Sequence, residues 1–247
     1  MPFGTKDLQY AKKQIVMSKL KYVGLFLIIL IFGILFIPKI FTRIAEQKVV
    51  DSSRSQSADP LQYIFLNGEA KKVPEFAFLN QDSLLISNED FTNKVYVAEF
   101  FFTSCPSICP IMNKNMKRIE EQFGDRKDFG IASFTIDPEQ DTPTVLKAYA
   151  ESYDVFSQNW HFLTGEKETL YTLANKGFNI FASVNPRVAG GFEHQGYFAL
   201  IDEKGFIRSR SDSFGNPIVY YMGIDEEDVE VQEVDLLMED IEKLLKE

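Results

Sequence analysis

The sequence predicts an α/β domain with a central mixed sheet and helices on both of its faces. Apolar runs of strand length, at residues 95–102 and 129–136, alternate with segments of helical periodicity. The first run has few polar side chains on either face, which indicates a central strand that is covered on both sides. A hairpin signal and a final amphipathic helix follow, and the hairpin adds antiparallel strands to the sheet.

A stripe of four apolar residues predicts the first long helix. Their spacings of four, three and four place them on one helical face, so the helix is expected over residues 106–123 and ends at Gly124. We interpret the two methionines of this stripe as core residues rather than metal ligands. The stripe consists of Met112, Met116, Ile119 and Phe123.

Turn residues and apolar periodicity predict the other elements. Thr142 is expected to cap a helix whose first residue is Pro143. Gly205 is expected in a hairpin turn because glycine tolerates a positive φ. The predicted elements are an alternating segment at 76–78, a short strand at 84–86, a helix at 143–153, a strand at 160–163, a helix at 166–176, hairpin strands at 196–202 and 206–209, and a helix at 231–245.

The N-terminal part of the chain contains an apolar run without a charged residue between Tyr22 and Ile37. Extended to Phe41, this run reaches the roughly 20 residues that cross a bilayer core. The alternative is a cleaved signal peptide, whose apolar region usually has about 7 to 15 residues and is followed by small residues at the cleavage site. We therefore expect a retained transmembrane anchor at residues 22–41.

Positive charges around this run predict its orientation. Five lysines precede it and three basic residues follow it, so residues 1–21 are expected in the cytoplasm. The absence of arginine before the run argues against a mitochondrial transit peptide. We expect a single-pass protein of a bacterial inner membrane, with a flexible linker at residues 42–60 and a periplasmic domain at 61–247. No cysteine follows the run closely, which excludes a lipoprotein anchor.

Composition limits the classes of partner. The chain is 45% hydrophobic and 25% charged, which is typical of a globular protein. Its formal net charge is −10, and no basic stripe is present to neutralise phosphates. We therefore expect no nucleic-acid partner.

The only two cysteines, Cys105 and Cys109, lie four residues apart at a strand-to-helix junction. Cys105 is expected in the first helical turn, where unpaired backbone N–H groups lower a thiol pKa. One helical turn separates the Cα atoms by roughly 6 Å, which a disulfide can span. The pair can therefore close a disulfide, bind a soft ion such as Cu(I) or Zn²⁺, or do both. A tight metal site needs a third ligand from elsewhere in the chain.

Two histidines are candidates for that third ligand. His161 lies within the short apolar strand at 160–163, and we interpret it as a structural or partly exposed residue. His194 is expected in a loop before the strand at 197–201. From such a loop it can reach a neighbouring helix start, but its position alone does not favour a ligand role.

Four sequence blocks in order resemble the Sco (SenC) family of copper-binding, thioredoxin-fold assembly factors for cytochrome oxidase. The blocks are residues 102–110, 135–143, 160–165, and His194 with 200–205, and the resemblance covers roughly residues 76–214. It implies a thioredoxin-like fold and one copper ion, Cu(I), Cu(II) or both in turn, bound by Cys105, Cys109 and His194. It also implies that the cysteines cycle between dithiol and disulfide.

Two aspartates, Asp137 and Asp141, match one of these blocks, and we interpret them as turn and cap residues before a helix. The acidic C-terminal helix lies outside the resemblance. Its carboxylates form either a docking surface or a solvated face, and we favour the solvated face.

The resemblance implies a membrane-anchored copper metallochaperone. It would receive copper from a donor protein and deliver it to the dinuclear copper site of a cytochrome c oxidase subunit. The alternative is a thiol–disulfide oxidoreductase that reduces the cysteines of that site, with Cys105 and Cys109 as its catalytic pair. A peroxidase of the peroxiredoxin kind is a third interpretation, but no arginine is placed to frame the thiolate.

Overall fold

The computed structural model describes residues 60–247 except 67, 213, 228 and 230, together with five positions near the N-terminus. Within this described part, no helix is both long and apolar enough to cross a membrane. The predicted anchor at 22–41 otherwise lies outside the described residues, as do residues 1–21 and 42–59. The five N-terminal positions are helical with exposed side chains: Phe26, Leu30, Phe32, Ile34 and Ile37.

The chain divides into two compact units, Met1–Asp51 and Ser52–Glu247. The described part of the second unit contains thirteen strands: β1 Gln62–Tyr63, β2 Phe65–Leu66, β3 Glu69–Ala70, β4 Ala77–Leu79, β5 Leu85–Ser87, β6 Val95–Phe101, β7 Phe129–Thr135, β8 Trp160–Leu163, β9 Ala182–Val184, β10 Phe192–His194, β11 Tyr197–Ile201, β12 Ile207–Ser209 and β13 Tyr221–Met222. Its α-helices are α1 Cys109–Phe123, α2 Pro143–Ser152, α3 Lys167–Thr172 and α4 Glu233–Leu244. A 3-10 turn covers Asn88–Phe91, and a π-helical turn at Leu173–Phe178 continues α3.

A seven-stranded mixed sheet forms the centre of this unit. The strand order is β1-β12-β11-β6-β7-β8, with β13 beside β11. β6, β7 and β8 are parallel, whereas β11 pairs antiparallel with β6, and β12 with β11. The predicted mixed sheet is therefore confirmed. Every residue of β6 and β7 is buried, as a central strand with two covered faces requires.

Consecutive side chains of β6 pack against helices on opposite faces of the sheet. The ring of Phe100 lies 5.5 Å from that of Phe178, in the turn that continues α3. The ring of Phe101 lies 5.5 Å from that of Tyr149 in α2. Since side chains alternate along a strand, Glu99 shares the face of Phe101 and points towards the α2 side.

The first long helix starts three residues later than the sequence predicts. α1 begins at Cys109 rather than at residue 106, with Pro110 in its first turn. A helix starting at residue 106 would need the amide of residue 110 to donate to its carbonyl, and proline has no N–H. Cys105 consequently lies in the loop before the helix and not in its first turn.

The C-terminal helix is attached to the sheet by a buried ion pair. Asp240 of α4 is fully buried and accepts from Arg210 through two hydrogen bonds of 2.6 and 2.8 Å. Tyr221 of β13 donates to the same carboxylate at 2.7 Å. The expected solvated face is therefore wrong for Asp240, although Glu239 and Glu242 of α4 remain exposed at about half of their side-chain surface.

Candidate metal centre

The cysteine loop connects the end of β6 to the start of α1. A turn fixes its beginning, where the backbone N–H of Cys105 donates to the carbonyl of Phe102 at 3.2 Å. The backbone N–H of Cys109 donates to Cys105 Sγ at 3.5 Å. Both cysteines are buried, and both thiols are free. The loop therefore places two sulfur atoms on the same side of the helix start.

His194 reaches the cysteines from a two-stranded hairpin. It is the last residue of β10, which pairs antiparallel with β9, whereas the sequence predicted a loop at this position. Residues 185–191 form the turn between the two strands. His194 Nε2 lies 3.3 Å from Cys109 Sγ, and Nδ1 lies 3.3 Å from the carbonyl oxygen of Gln195. With its proton on Nδ1, the ring can donate to this carbonyl and offers the lone pair of Nε2 to a metal ion. With its proton on Nε2, the ring instead donates to the sulfur atoms.

Close packing holds the hairpin against the cysteine loop. The ring of Phe102 lies 5.1 Å from that of Phe192 and 5.9 Å from the imidazole of His194. Gly190 has a φ of +86°, and a Cβ there would lie 2.9 Å from the Phe102 ring and 3.0 Å from Pro106. Between loop and hairpin, an open cavity of about 270 Å³ leads to Cys105 and His194.

These elements bring together the three residues that the resemblance implies as ligands. One ligand atom from each of Cys105, Cys109 and His194 lies within 4.8 Å of the other two. Two thiolates and one imidazole form a soft donor set, which suits Cu(I) better than hard cations that prefer oxygen ligands. The residues therefore fit a single copper ion by their chemistry and their spacing.

The two thiols differ in acidity. A hydrogen bond from the Cys109 thiol lowers the pKa of Cys105 to about 3, and contacts with His194 and two backbone N–H groups act in the same direction against the effect of burial. The same hydrogen bond, together with burial, raises the pKa of Cys109. The structure therefore pairs a thiolate at Cys105 with a neutral thiol at Cys109.

Asp141 supports the cysteine loop, which the sequence interpretation missed. Its buried carboxylate accepts from the backbone N–H of Thr103 at 3.1 Å, from the Thr103 hydroxyl, and from Thr135 Oγ1 at 2.5 Å. The helix cap is instead Thr142, as predicted. Asp137 forms the preceding turn, and burial beside Asp141 raises its pKa.

The remaining candidates are not among the three converging ligands. Met112 and Met116 are fully buried in the core, as the helical stripe predicts. Nδ1 of His161 lies 3.3 Å from Nδ2 of Asn80, and the His161 ring packs edge-on against Phe91. Burial lowers the pKa of His161, which agrees with a structural role.

A comparison with known protein families shows the family to which the chain belongs. A family model described as SCO1/SenC matches residues 66–227. The chain belongs to the SCO1/SenC family. A relative named SCO1 protein homolog, from Bacillus subtilis (strain 168), is 34% identical over 152 residues, which are 61% of this chain and 74% of the relative.

Solved structures of SCO1/SenC proteins share the fold of this chain. A SCO1/SenC family lipoprotein from Bacillus anthracis str. Ames is 28% identical, with a TM-score of 0.60 over 71% of this chain and 95% of its own. BsSco, described as a member of the Sco family of cytochrome c oxidase assembly proteins with a disulfide switch, is 29% identical, with a TM-score of 0.58 over 78% and 99%. The thioredoxin-like α/β architecture is thus that of the family.

Proposed function

We propose that this SCO1/SenC protein binds one copper ion through Cys105, Cys109 and His194 and acts as a copper metallochaperone. The single observation that carries the proposal is the convergence of three soft donor atoms within 4.8 Å. We treat the ion as cargo, because the cavity between loop and hairpin gives a partner access to Cys105 and His194. The family's association with cytochrome c oxidase assembly supports the copper-site subunit of that oxidase as the recipient.

Copper titration tests the three-donor site. The reduced full-length chain, titrated anaerobically with Cu(I) against a competing chelator, is expected to saturate at one ion per chain. Removing a residue that only hydrogen-bonds to a metal ligand typically lowers metal affinity about 10- to 100-fold. His194→Ala removes a ligand itself, so its Cu(I) affinity should fall by at least about 100-fold. His161→Ala is the matched control, since this histidine is not among the three converging ligands, and its affinity should equal that of the native protein. Equal affinity of His194→Ala and the native chain would refute the site.

The acidity of the two thiols favours a second candidate, a thiol–disulfide oxidoreductase. Its chemistry starts with attack of the Cys105 thiolate on a partner disulfide, which gives a mixed disulfide and releases a partner thiolate. Cys109, as a thiolate, then attacks the Cys105 sulfur and releases the reduced partner. A nucleophile with a lowered pKa beside a protected second thiol is the arrangement that this sequence of steps requires.

Trapping the mixed disulfide tests the second candidate. Cys109→Ser retains the Cys105 nucleophile but cannot release the partner, so it should accumulate a covalent adduct with the oxidised copper-site domain of the oxidase subunit. Non-reducing electrophoresis and mass spectrometry measure the adduct. Cys105→Ser is the control and should give none, whereas His194→Ala should exchange at the native rate. Failure of Cys109→Ser to form an adduct counts against the oxidoreductase and leaves copper binding untouched.

An N-terminal anchor would hold this domain at the membrane that contains the oxidase. The charge-free apolar run between Tyr22 and Ile37 supports a single-pass span in a bacterial inner membrane, with the domain in the periplasm. The described positions in this run are helical and have exposed apolar side chains. A copper donor protein and an oxidase subunit would then meet the site on the same side of the membrane.

A further inference from the structure

A buried carboxylate, Asp141, connects the stem of the cysteine loop to the end of strand β7. It is fully buried and lies between β7 and α2. Its Oδ2 accepts from the backbone N–H of Thr103 at 3.1 Å and from Thr135 Oγ1 at 2.5 Å, and its Oδ1 accepts from the Thr103 hydroxyl. Three donors therefore point at one side chain, which holds Thr103 beside the last residue of β7.

The turn that carries Asp141 is itself fixed by hydrogen bonds. The backbone N–H groups of Gln140 and Asp141 donate to the carbonyl of Asp137 at 3.1 and 2.9 Å. The backbone N–H of Asp137 donates to Thr135 Oγ1 at 2.9 Å. The turn then leads directly into α2, which Thr142 caps. Because the turn is anchored in a strand at one end and in a helix at the other, its carboxylate is a rigid point of attachment for the loop.

The loop stem, Phe102 and Thr103, links this carboxylate to the ligands of the metal site. The carbonyl of Phe102 accepts from the backbone N–H of Cys105 at 3.2 Å, which fixes the turn that leads to the first sulfur atom. The ring of Phe102 lies 5.9 Å from the imidazole of His194. A shift of the loop stem would therefore displace a sulfur ligand and, at the same time, the surface against which the histidine packs.

We propose that Asp141 is a positioning residue for the copper site and acts through the loop stem of Phe102 and Thr103. Its carboxylate bonds to the stem, so it acts on the geometry of the ligands rather than on the ion. A donor set that is already held in place loses less freedom when the ion binds, so the hydrogen bonds of Asp141 should raise copper affinity. The inference rests on the proposed function, because it concerns the same three ligands.

The residue after Asp141 provides the matched control. The hydroxyl of Thr142 accepts one hydrogen bond, from the backbone N–H of Val145 at 3.5 Å, and this bond caps α2. Thr142→Ala should therefore lower the stability of the fold, as the loss of an N-cap does, without releasing the loop stem. Thr103→Val also removes one hydroxyl, but it keeps the shape of the side chain and breaks a bond to the loop stem. The two variants thus separate loss of stability from loss of ligand position.

Chelator competition for Cu(I) in the reduced full-length chain tests the inference, at a temperature where circular dichroism shows every variant to be folded. Thr103→Val removes the donor to Asp141 Oδ1, so its affinity should fall about tenfold, the low end of the loss seen when a residue that holds a metal ligand in place is removed. Thr103→Ser retains the hydroxyl and should bind copper with the native affinity. Thr142→Ala should also bind copper with the native affinity, although it unfolds at a lower temperature.

A second measurement follows the same loop without copper. The reduced chain is equilibrated with oxidised glutathione, so that the Cys105–Cys109 dithiol and one oxidised glutathione give the protein disulfide and two molecules of reduced glutathione. The equilibrium constant reports the effective concentration of one thiol beside the other, which falls when the loop is loosened. It should fall about tenfold, or about 30 mV, in Thr103→Val and in Asp141→Asn, whose amide nitrogen cannot accept a hydrogen bond.

Equal Cu(I) affinities of Thr103→Val and Thr142→Ala overturn the inference, because the bond to Asp141 would then support only the fold. If Asp141→Asn does not fold, Thr103→Val decides the result in both assays. A native chain that binds no copper refutes the metallochaperone, and the glutathione equilibrium still tests Asp141. In that case, a constant for Thr103→Val equal to the native one overturns the inference.

Discussion

At the residue scale, two identical side chains acquire opposite properties from one directed hydrogen bond. The Cys109 thiol donates and the Cys105 sulfur accepts, which lowers the pKa of the acceptor and raises that of the donor. The imidazole of His194 adds to the effect on Cys105. The loop thereby presents a reactive thiolate at Cys105 and a protonated thiol at Cys109.

Alkylation of the metal-free, reduced chain measures this difference. A thiol with a pKa of about 3 is fully ionised above about pH 5, so the reaction of iodoacetamide with Cys105 should have the same rate from pH 5 to pH 8. In Cys109→Ala the donor is lost and the Cys105 pKa rises, so the rate should increase with pH over this range. Mass spectrometry identifies the alkylated residue. A native rate that climbs about tenfold per pH unit, as for an ordinary thiol with a pKa of about 8.5, would contradict the assigned acidity.

The sequence predicts the sulfur donors but not the residues that support them. Cys105 and Cys109 are conspicuous because no other cysteine exists in the chain. Glu99 lies in an apolar run where one acid gives no periodic signal, and its hydrogen-bond partner Ser133 lies in the neighbouring strand β7. The contact of Asp141 with Thr103 depends on how β7 lies beside β6, which local patterns do not specify.

At the element scale, the hairpin of β9 and β10 determines whether His194 can reach the sulfur atoms. Each strand has only three residues, which is too short for alternation to be recognised in the sequence. The turn between them contains two glycines with positive φ, Gly190 and Gly191. The sequence therefore shows that the chain turns here, and only the structure shows that the turn packs against the cysteine loop.

Substitution of the two glycines separates backbone strain from packing. Alanine at either position adopts an unfavourable left-handed φ, which should cost about 1–2 kcal/mol of stability in both variants. Only at Gly190 does the new methyl group meet the Phe102 ring and Pro106, whereas nothing lies within 4 Å at Gly191. Gly190→Ala should therefore weaken Cu(I) affinity by displacing His194, and Gly191→Ala should not. Chelator competition measures the affinity, and equal affinities of the two variants would show that the hairpin contact does not position the ligand.

At the scale of the whole molecule, the central sheet could be predicted because its longest strands are buried on both faces. β6 and β7 have seven residues each and lie close to their predicted positions. The short antiparallel strands β1 and β13, with two residues each, were not predicted from the sequence. They form through pairing with β12 and β11, so their existence depends on neighbours that are distant in sequence.

The C-terminal helix shows a second limit of local patterns. Its acids look alike in the sequence, yet Asp240 is buried against Arg210, thirty residues earlier in the chain. The family match ends at residue 227, before α4 begins. Even so, the helix belongs to the same core, because Val234, Leu237 and Ile241 are fully buried.

The separation of the ligands along the chain makes metal binding a report on folding. Cys109 and His194 are 85 residues apart, and only the assembled sheet, helix and hairpin bring their side chains into contact. An unfolded chain offers two thiols close together in sequence but does not hold the imidazole beside them. A ligand that binds only the native state, at a free concentration of about 100 times its Kd, raises the free energy of unfolding by about 2.7 kcal/mol. A copper-loaded chain would therefore also be more stable. Copper occupancy would thus distinguish mature chains from incomplete ones before any partner is met.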